Sequence, residues 1–337
     1  MREALLYEKA ANGDVRCKLC AHRCLIPDEK KGICQVRRNE HGVLYTLVYG
    51  RTISHNVDPI EKKTLYHFYP GSTAYSIATP GCNFRCTWCQ NWEISQMPRE
   101  RHLVLGEPMT PEEIVDNAQK AGSHSIAYTY TEPTVFFEYA YDTARVACRA
   151  GIANVFVTNG YMTQEMLDAF HPYLDAANVD LKAFRDETFR RLIGGTLQPV
   201  LDSLRTMKQQ GTWVEVTTLV IPGINDTPAE LEDIARFLAT ELGPGTPWHV
   251  SRFFPTYKLI DAPPTPVETL RRAEEIGLAA GLHYVYVGNL HGETNTVCHQ
   301  CGHLLVQRTG YHVRKNAVRD GRCPQCSTPI AGVGMDG

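Results

Sequence analysis

The sequence predicts an α/β protein whose parallel strands close into a full or partial barrel, with a small cysteine-rich segment on each side. From Ala74 to about Tyr286, short β-branched runs alternate with amphipathic stretches of helical length. Repeated βα units of this kind favour parallel strands joined by right-handed crossovers. Cysteines cluster before this repeat, at its start and after it, which predicts three parts: 1–73, 74–287 and 288–337.

Seven strands and three helix starts are predicted within the repeat. Thr110, Thr227 and Thr265 each precede a proline, a pairing that favours the first turn of a helix. The predicted strands are 75–78, 125–128, 154–157, 178–181, 214–220, 248–251 and 283–287.

Composition argues against several classes of partner. The chain has 337 residues, a formal net charge of -3 and a pI near 6.5, so no strong basic field indicates a nucleic acid or an anionic membrane. No run approaches the roughly 18 apolar residues that cross a bilayer. The stretch from Met1 to Ala10 is charged where a secretory signal would be apolar. We therefore expect a cytoplasmic protein without nucleic-acid or membrane partners.

Twelve cysteines in a chain expected in a reducing compartment indicate metal ligation rather than disulfides. Cys148 stands alone in the apolar stretch 135–150, where a buried, inert thiol is expected. The others form three groups: Cys17, Cys20, Cys24 and Cys34; Cys82, Cys86 and Cys89; and Cys298, Cys301, Cys323 and Cys326.

The middle group has the spacing C-x3-C-x2-C, with no fourth cysteine nearby. A closed [4Fe–4S] cluster uses one thiolate per iron, so Cys82, Cys86 and Cys89 would leave one iron open to a reactive ligand. S-adenosylmethionine (SAM) can chelate that iron through its amino and carboxylate groups, which places its sulfonium beside a low-potential electron donor. Two alternatives stay open: a structural zinc knuckle, and an electron-transfer cluster whose fourth ligand lies elsewhere in the chain.

The two outer groups are predicted to bind metal as well. Cys298, Cys301, Cys323 and Cys326 form two C-x2-C pairs, typical of a zinc ribbon or rubredoxin-like site with closed S4 ligation of Zn2+ or one iron. The N-terminal group, with His22 beside it, offers more than one tetrahedral ligand set. Either Zn2+ or an auxiliary iron–sulfur cluster suits it.

These motifs resemble those of the radical SAM superfamily. The resemblance implies a partial (β/α)6 barrel and reductive cleavage of SAM to a 5′-deoxyadenosyl radical that abstracts hydrogen. Glu132 matches the family's carboxylate for the methionyl ammonium group, and capping of the following helix is the alternative. The segments 158–160 and 180–182 resemble strand ends beside the SAM site of activating enzymes. The cofactor-binding residues implied are Trp88 near the adenine, Thr131, Glu132, Asn159, Asp180 and Lys182.

The sixth strand carries two candidate catalytic residues. Side chains alternate along a strand, so His249 and Arg252 point to opposite faces, and one of them is expected to face the barrel interior. Arg252 suits an anionic substrate group or the SAM carboxylate, with a structural ion pair as the alternative.

Across almost the whole chain, the pattern is similar to the AmmeMemoRadiSam system radical SAM enzymes, homologues of pyruvate formate-lyase activating enzymes. The likeness rests on the block from Cys17 to Arg37, the cysteine loop, 128–133, 249–257 and the tail from Gly288 to Val333. It implies an oxidoreductase-like enzyme with an unidentified substrate. Its implied partners are a flavodoxin or ferredoxin as electron donor, and MEMO-like and AMMECR-like proteins. Auxiliary clusters in related activases follow the cysteine loop, which favours zinc at the N-terminal group.

Two other functions stay open at this point. The protein could be an activase that installs a glycyl radical on a partner protein. It could also be a non-catalytic adaptor, in which a degenerate site and the two outer metal sites serve protein contacts.

Overall fold

The computed structural model describes residues 1–290 and 292–336, so the predicted segment 288–337 contains two residues, His291 and Gly337, outside the described part. Short strands make up the N-terminal segment: β1 (Arg2–Glu3), β2 (Tyr7–Lys9), β3 (Val15–Cys17), β4 (Leu25–Ile26), β5 (Arg37–Glu40), β6 (Val43–Thr46), β7 (Arg51–Thr52) and β8 (Ser54–Pro59). Six of them form two antiparallel sheets, β2-β3-β4 and β1-β6-β5.

The predicted repeat folds as an open parallel barrel. Its strands are β9 (Thr73–Ala78), β10 (Glu107–Pro108), β11 (Ser125–Tyr128), β12 (Ala153–Thr158), β13 (Ala176–Asp180), β14 (Trp213–Val220), β15 (Trp248–Arg252) and β16 (Val285–Gly288). The central sheet has the order β16-β15-β14-β13-β12-β11-β9-β8, in which only β8 is antiparallel, while β10 pairs with β7. All seven predicted strands are present, with ends displaced by no more than two residues. Because β8 and β16 lie at opposite edges of the sheet, the predicted partial barrel is confirmed.

Helices follow the strands and cover the sheet: α1 (Trp92–Ser95), α2 (Met97–Glu100), α3 (Pro111–Lys120), α4 (Phe137–Arg149), α5 (Gln164–Phe170), α6 (Asp186–Thr188), α7 (Gln198–Gln209), α8 (Pro228–Phe237) and α9 (Val267–Ala279). Short 3₁₀ segments lie at Ala11–Gly13, Ile60–Lys63, Pro133–Phe136 and His171–Tyr173, and π-helical turns at Phe189–Ile193 and Leu238–Leu242. None of the helices in the described ranges is both long and apolar enough to cross a membrane.

All three predicted helix starts are present, and two of the three threonines cap their helices. The Thr110 hydroxyl accepts a hydrogen bond from the Glu113 amide at 3.2 Å, and the Glu113 carboxylate accepts one from the Thr110 amide at 2.7 Å. Thr227 accepts from the Glu230 amide at the start of α8. Thr265 does not cap α9; its hydroxyl instead donates to the Val220 carbonyl at 2.6 Å, which ties the loop before α9 to the end of β14.

The prediction of a buried Cys148 is wrong. Helix α4 turns its apolar face, including Ala140, Ala144 and Ala147, toward the sheet, and Cys148 falls on the exposed face. The described chain contains no disulfide, since all its cysteines are free thiols.

The C-terminal lobe is a three-stranded antiparallel sheet of β17 (Thr296–Val297), β18 (Leu304–Thr309) and β19 (His312–Asn316). Its apolar side chains pack against the barrel residues Tyr284 and Tyr286 and against Tyr66. The Arg308 guanidinium is fully buried, donates to the Tyr66 carbonyl at 2.7 Å and lies 3.5 Å from the Glu61 carboxylate. The lobe is therefore joined to the barrel by both apolar and charged contacts.

A directed chain of hydrogen bonds runs from the lobe into the barrel. Arg308 donates to the Thr296 hydroxyl at 2.8 Å, the Thr296 and Tyr286 hydroxyls are 2.7 Å apart, and the Tyr286 hydroxyl is 2.6 Å from His67 Nε2. The other ring nitrogen, Nδ1, lies 2.6 Å from the Ala331 carbonyl. Because a carbonyl only accepts, Nδ1 carries a proton. Burial lowers the pKa of His67 to about 4, so the ring is neutral at pH 7 and Tyr286 donates to Nε2.

Candidate active site and metal centres

The three-cysteine loop leaves the carboxyl end of β9 and is anchored on the π-helical turn Phe189–Ile193. The Arg85 amide donates to the Ile193 carbonyl at 2.8 Å, and the Thr87 amide donates to the Leu192 carbonyl at 3.2 Å. The Phe84 ring packs on Tyr161 and is fully buried. These contacts fix the loop at the rim of the barrel, where parallel-barrel enzymes hold their reactive groups.

A cavity of about 520 Å³ opens at this rim. All three cysteines of the loop line it, and so does every residue that the sequence predicts for cofactor binding. These are Cys82, Cys86, Cys89, Trp88, Thr131, Glu132, Asn159, Asp180 and Lys182. Residues from the loop and from the ends of three successive strands, β11, β12 and β13, thus converge on one space, as expected for the carboxyl ends of parallel strands.

Of the three loop cysteines, Cys86 is buried and Cys82 and Cys89 are partly buried. Burial raises the pKa of Cys86 to about 12, and burial together with the nearby Glu132 carboxylate raises the pKa of Cys82. Metal ligation requires thiolates, so iron binding must displace these protons. The thiol donor set, the cavity volume and the charged groups around it fit an iron–sulfur cluster with an organic cation beside it.

Glu132 is buried and accepts four hydrogen bonds. The donors are the Thr134 amide at 3.0 Å, the Thr134 hydroxyl at 2.6 Å, the Thr158 hydroxyl at 2.7 Å and the Asn159 amide at 2.8 Å. Burial nevertheless raises the pKa of this carboxyl. Glu132 caps the 3₁₀ turn Pro133–Phe136, the alternative considered for it, and it also lines the cavity.

Asp180 and Lys182 form an ion pair at the end of β13, with 2.8 Å between Oδ2 and Nζ. Burial lowers the pKa of the Lys182 ammonium, but Asp180 and the Cys86 thiol outweigh it, so the net pKa is raised and the side chain stays cationic. Asn159 donates to the Asn83 side chain at 2.8 Å, beside Cys82. Polar groups of the third and fourth strand ends therefore contact or approach the cysteine loop.

The two residues predicted as catalytic do not line the cavity. His249 is buried deeper in the barrel, 2.7 Å from the Glu215 carboxylate. The Arg252 guanidinium donates to the Thr265 carbonyl at 2.8 Å and covers the Phe254 ring at 5.0 Å. Since neither side chain reaches the cavity, their catalytic role stays a prediction without a supporting contact.

Sequence reasoning missed two lysines that line the cavity. Lys62 and Lys63 line the cavity, and both contact the Asp58 carboxylate, at 2.8 and 2.6 Å. Burial lowers the pKa of Lys63 to about 8, although Asp58 opposes this, and the Lys63 ammonium lies 4.5 Å from the Tyr130 ring centre. The signal available was the pair of adjacent lysines just before the first barrel strand.

Asn289 and Tyr311 were also missed, and they bring the C-terminal segment to the cavity. Tyr311 occupies the turn between β18 and β19. No sequence pattern relates this turn to the barrel, because the contact depends on how the lobe packs.

The C-terminal cysteines form a compact group. The sulfurs of Cys298, Cys301, Cys323 and Cys326 all lie within 4.8 Å of one another, with 3.6 Å between Cys298 and Cys326 and 3.7 Å between Cys301 and Cys323. Tetrahedral zinc with bonds of about 2.3 Å places its sulfurs just under about 4 Å apart. The predicted quartet could therefore bind a single ion.

Comparisons with known proteins agree with this geometry. A model of the Radical SAM superfamily matches residues 76–238. An uncharacterized protein of Methanocaldococcus jannaschii, MJ0808, is 45% identical over 334 residues, 98% of this chain and 99% of that protein. The pyruvate formate-lyase 1-activating enzyme of Escherichia coli K12 is 21% identical over 159 residues, 47% of this chain and 65% of the enzyme. A radical SAM methyltransferase from Sphaerobacter thermophilus has a similar fold, with a TM-score of 0.51 at 20% identity over 65% of this chain and 67% of that one.

The fold and the site define an open-barrel enzyme whose cysteine loop lies at the carboxyl ends of the strands. The chain belongs to the radical SAM superfamily. Membership implies a [4Fe–4S] cluster and SAM, and it argues against the non-catalytic adaptor considered for this sequence.

Proposed function

We propose that the protein uses a [4Fe–4S] cluster to cleave SAM reductively, giving a 5′-deoxyadenosyl radical that abstracts hydrogen from a substrate. The observation that carries this proposal is the convergence of the three loop cysteines and six further side chains on one cavity. The reaction makes the protein oxidoreductase-like, with a low-potential flavodoxin or ferredoxin as electron donor.

Each lining residue is proposed to have a role that its chemistry supports. Cys82, Cys86 and Cys89 would ligate three irons, and Trp88 would flank the adenine. Glu132 and the adjacent Thr131 would face the methionyl ammonium group, since a buried carboxylate attracts a cation.

The remaining lining residues suit the anionic and hydroxyl groups of SAM. The Lys182 ammonium would attract the methionyl carboxylate. Asn159 and Asp180 would bind the ribose hydroxyls or the same carboxylate.

The direct test is 5′-deoxyadenosine production by the anaerobically reconstituted, dithionite-reduced protein. We expect Cys86→Ala to abolish production and Cys148→Ala to leave it unchanged, because Cys148 is an exposed thiol on the outer face of α4. Absence of 5′-deoxyadenosine from a protein with a complete cluster would refute the proposal.

We further propose membership of the AmmeMemoRadiSam subfamily, with MEMO-like and AMMECR-like partners and a cytoplasmic location. The supporting observation is that the Methanocaldococcus relative matches 98% of the chain, including both cysteine-rich segments. Co-purification of the tagged protein with such partners tests this; their absence under anaerobic conditions would count against it.

Activation of a glycyl-radical enzyme is the second candidate, since the Escherichia coli relative is an activating enzyme. That likeness covers 47% of this chain, and the structurally similar Sphaerobacter protein is a methyltransferase, so the shared part does not favour an activase. An EPR glycyl-radical doublet in a partner protein would support the activase. Consumption of SAM and a small molecule without such a signal would exclude it.

For the C-terminal quartet we propose Zn2+ in a structural role. The short sulfur separations support a single ion, and both pairs come from tight turns that suit closed ligation. Elemental analysis of the purified chain should give about one zinc per protein for this site, and Cys298→Ser should lower that content.

A further inference from the structure

The four N-terminal cysteines face one small apolar cavity, although they come from separate parts of the segment. Cys17 ends β3, Cys20 and Cys24 lie in the loop that follows, and Cys34 lies in the turn before β5. All four line this cavity, together with Ile26 and other apolar side chains. The enclosure raises the pKa of Cys20, Cys24 and Cys34, the last to about 11.

A buried guanidinium lines the same cavity with unsatisfied donors. Arg37 is 1% exposed and pairs through Nη2 with the Glu138 carboxylate. Its Nε and Nη1 groups are buried without a hydrogen-bond partner. A buried N–H group without an acceptor costs about 1–3 kcal/mol. Two such donors beside four thiols indicate that an anion with several acceptors completes the site.

Sulfur spacing distinguishes between the two metals that this group could bind. In the described part of the chain, three or more metal-ligating side chains come within 4.8 Å of one another only in the C-terminal quartet. The N-terminal sulfurs are more widely spread, and so are those of Cys82, Cys86 and Cys89. One zinc ion draws its thiolates close together, whereas the irons of a cubane occupy separate corners and hold their thiolates farther apart. The N-terminal quartet therefore has the arrangement of a cluster site.

The small size of the cavity is consistent with a bonded group. Iron–thiolate bonds are far shorter than the non-bonded contacts that limit a free ligand, so a ligated cluster fits where a molecule of the same size would not. Because all four thiols point inward, no iron would remain open to substrate.

We propose that Cys17, Cys20, Cys24 and Cys34 bind a second, fully cysteine-ligated [4Fe–4S] cluster, with the free N–H groups of Arg37 donating to its sulfurs. Four thiol protons leave as the cluster binds, and one electron from a low-potential donor of the ferredoxin or flavodoxin class reduces it. Such N–H contacts stabilise the more negative, reduced state. This replaces zinc, which the sequence alone favours for these residues.

The cluster site contacts the three-cysteine loop. Gly81, the residue before Cys82, lies close to the Cys34 backbone: a Cβ added at Gly81 would be 3.4 Å from the Cys34 carbonyl oxygen. His22, between Cys20 and Cys24, hydrogen-bonds through Nε2 with the Asn83 carbonyl at 2.9 Å. Filling the N-terminal site would therefore also support the loop of the first cluster.

The test uses the full chain with the first cluster removed, so it is independent of SAM cleavage. In the triple variant C82A/C86A/C89A, reconstituted anaerobically with 57Fe and sulfide, we expect about four sulfides and four cluster irons per chain. The sulfide content per chain is the decisive measurement, because a single iron or zinc ion in the C-terminal quartet contains no sulfide. Mössbauer spectroscopy should give cubane parameters, and reduction should give a cluster EPR signal.

Further variants locate the cluster. Adding C17S and C34S should remove the sulfide and the EPR signal, whereas adding C148A, which lies outside every group, should leave both. Retained C-terminal metal and an unchanged circular dichroism spectrum would exclude unfolding as the cause. About one N-terminal zinc without sulfide in the triple variant would overturn the proposal, as would sulfide retained after C17S and C34S.

A final variant keeps all four cysteine ligands and tests whether Arg37 donates hydrogen bonds to the cluster. The matched pair Arg37→Gln and Glu138→Gln removes the guanidinium without leaving its carboxylate partner charged and alone. We expect the midpoint potential of this cluster in the triple-variant background to become more negative. An unchanged potential would contradict contact between Arg37 and the cluster.

Discussion

His67 makes stability depend on pH in the mildly acidic range. Its ring is fully buried, and burial lowers its pKa from 6.5 to about 4, although the neighbouring Glu215 carboxylate opposes the shift. The Ala331 carbonyl accepts from Nδ1, and in the neutral ring Nε2 accepts from the Tyr286 hydroxyl. Protonation of Nε2 would reverse this contact, and the Tyr286 hydroxyl would then have to donate to Thr296. The cost of protonation is therefore mainly the burial of an imidazolium charge.

The sign follows from proton binding. Between pH 6.5 and about 4, the unfolded chain binds a proton at His67 and the folded chain does not, so stability falls as pH falls through this window. Each pH unit costs about 1.4 kcal/mol, which gives about 1.4 kcal/mol at pH 5.5 and about 3 kcal/mol near pH 4. Below about pH 4 both states are protonated and this contribution becomes constant.

The assay is denaturant unfolding under anaerobic conditions at pH 7.5 and 5.5, followed by tryptophan fluorescence. We expect His67→Gln to be less stable than wild type at pH 7.5 but to lose about 1.4 kcal/mol less between the two pH values. His41→Gln is the matched control, since 85% of the His41 side chain is exposed. The difference from wild type also removes the contribution of His22, whose pKa burial lowers. An equal pH slope in wild type and His67→Gln would refute this reasoning.

Three further changes have defined outcomes. A Cβ on Gly195 would lie 2.5 Å from the Phe84 ring, so Gly195→Ala should lower the free energy of unfolding by about 1–3 kcal/mol. Because Phe84 lies in the three-cysteine loop, the iron content of that loop should fall as well. A full iron content would contradict the idea that Phe84 holds the loop in place. Arg308→Met should lower the free energy of unfolding by about 3–5 kcal/mol, because the Glu61 carboxylate is left buried without its charged partner. Adding Glu61→Gln should restore part of that stability in the same unfolding assay. No recovery would contradict an ion pair between the two side chains. Removal of the C-terminal metal should expose the tyrosines against which the lobe packs, Tyr66, Tyr284 and Tyr286, and so increase solvent quenching of their fluorescence. Unchanged quenching would indicate a lobe that folds without metal.

Local sequence patterns predicted the barrel well. Each parallel strand is a short apolar run between turn residues, and Thr110 and Thr227 precede prolines at real helix starts. Thr265 has the same local pattern, but its hydroxyl bonds to the Val220 carbonyl, a partner 45 residues away. The helix start at α9 was therefore predicted correctly, but a tertiary hydrogen bond took the hydroxyl that a cap would have used.

The residues of the candidate site also divide into those that local sequence patterns predict and those that tertiary packing places there. Cys82, Glu132 and Asp180 follow directly from strands whose carboxyl ends must meet, so strand assignment alone brings them together. Tyr311 and Lys63 come from segments outside the repeat, and their place on the cavity depends on packing that no spacing encodes. Alternation along β15 gave the two faces of His249 and Arg252 but not their depth, which is why neither lines the cavity.

The walls of the cavity come from the beginning, middle and end of the chain, from Lys62 to Tyr311. An excised fragment of residues 76–238 would retain the cysteine loop but lack Lys63, Ser251, Asn289 and Tyr311. Such a fragment would lack these parts of the cavity wall, and water would reach a cluster on the cysteine loop more freely than in the intact chain. Truncated versions that hold a cluster are therefore poor guides to the catalytic behaviour of the whole protein.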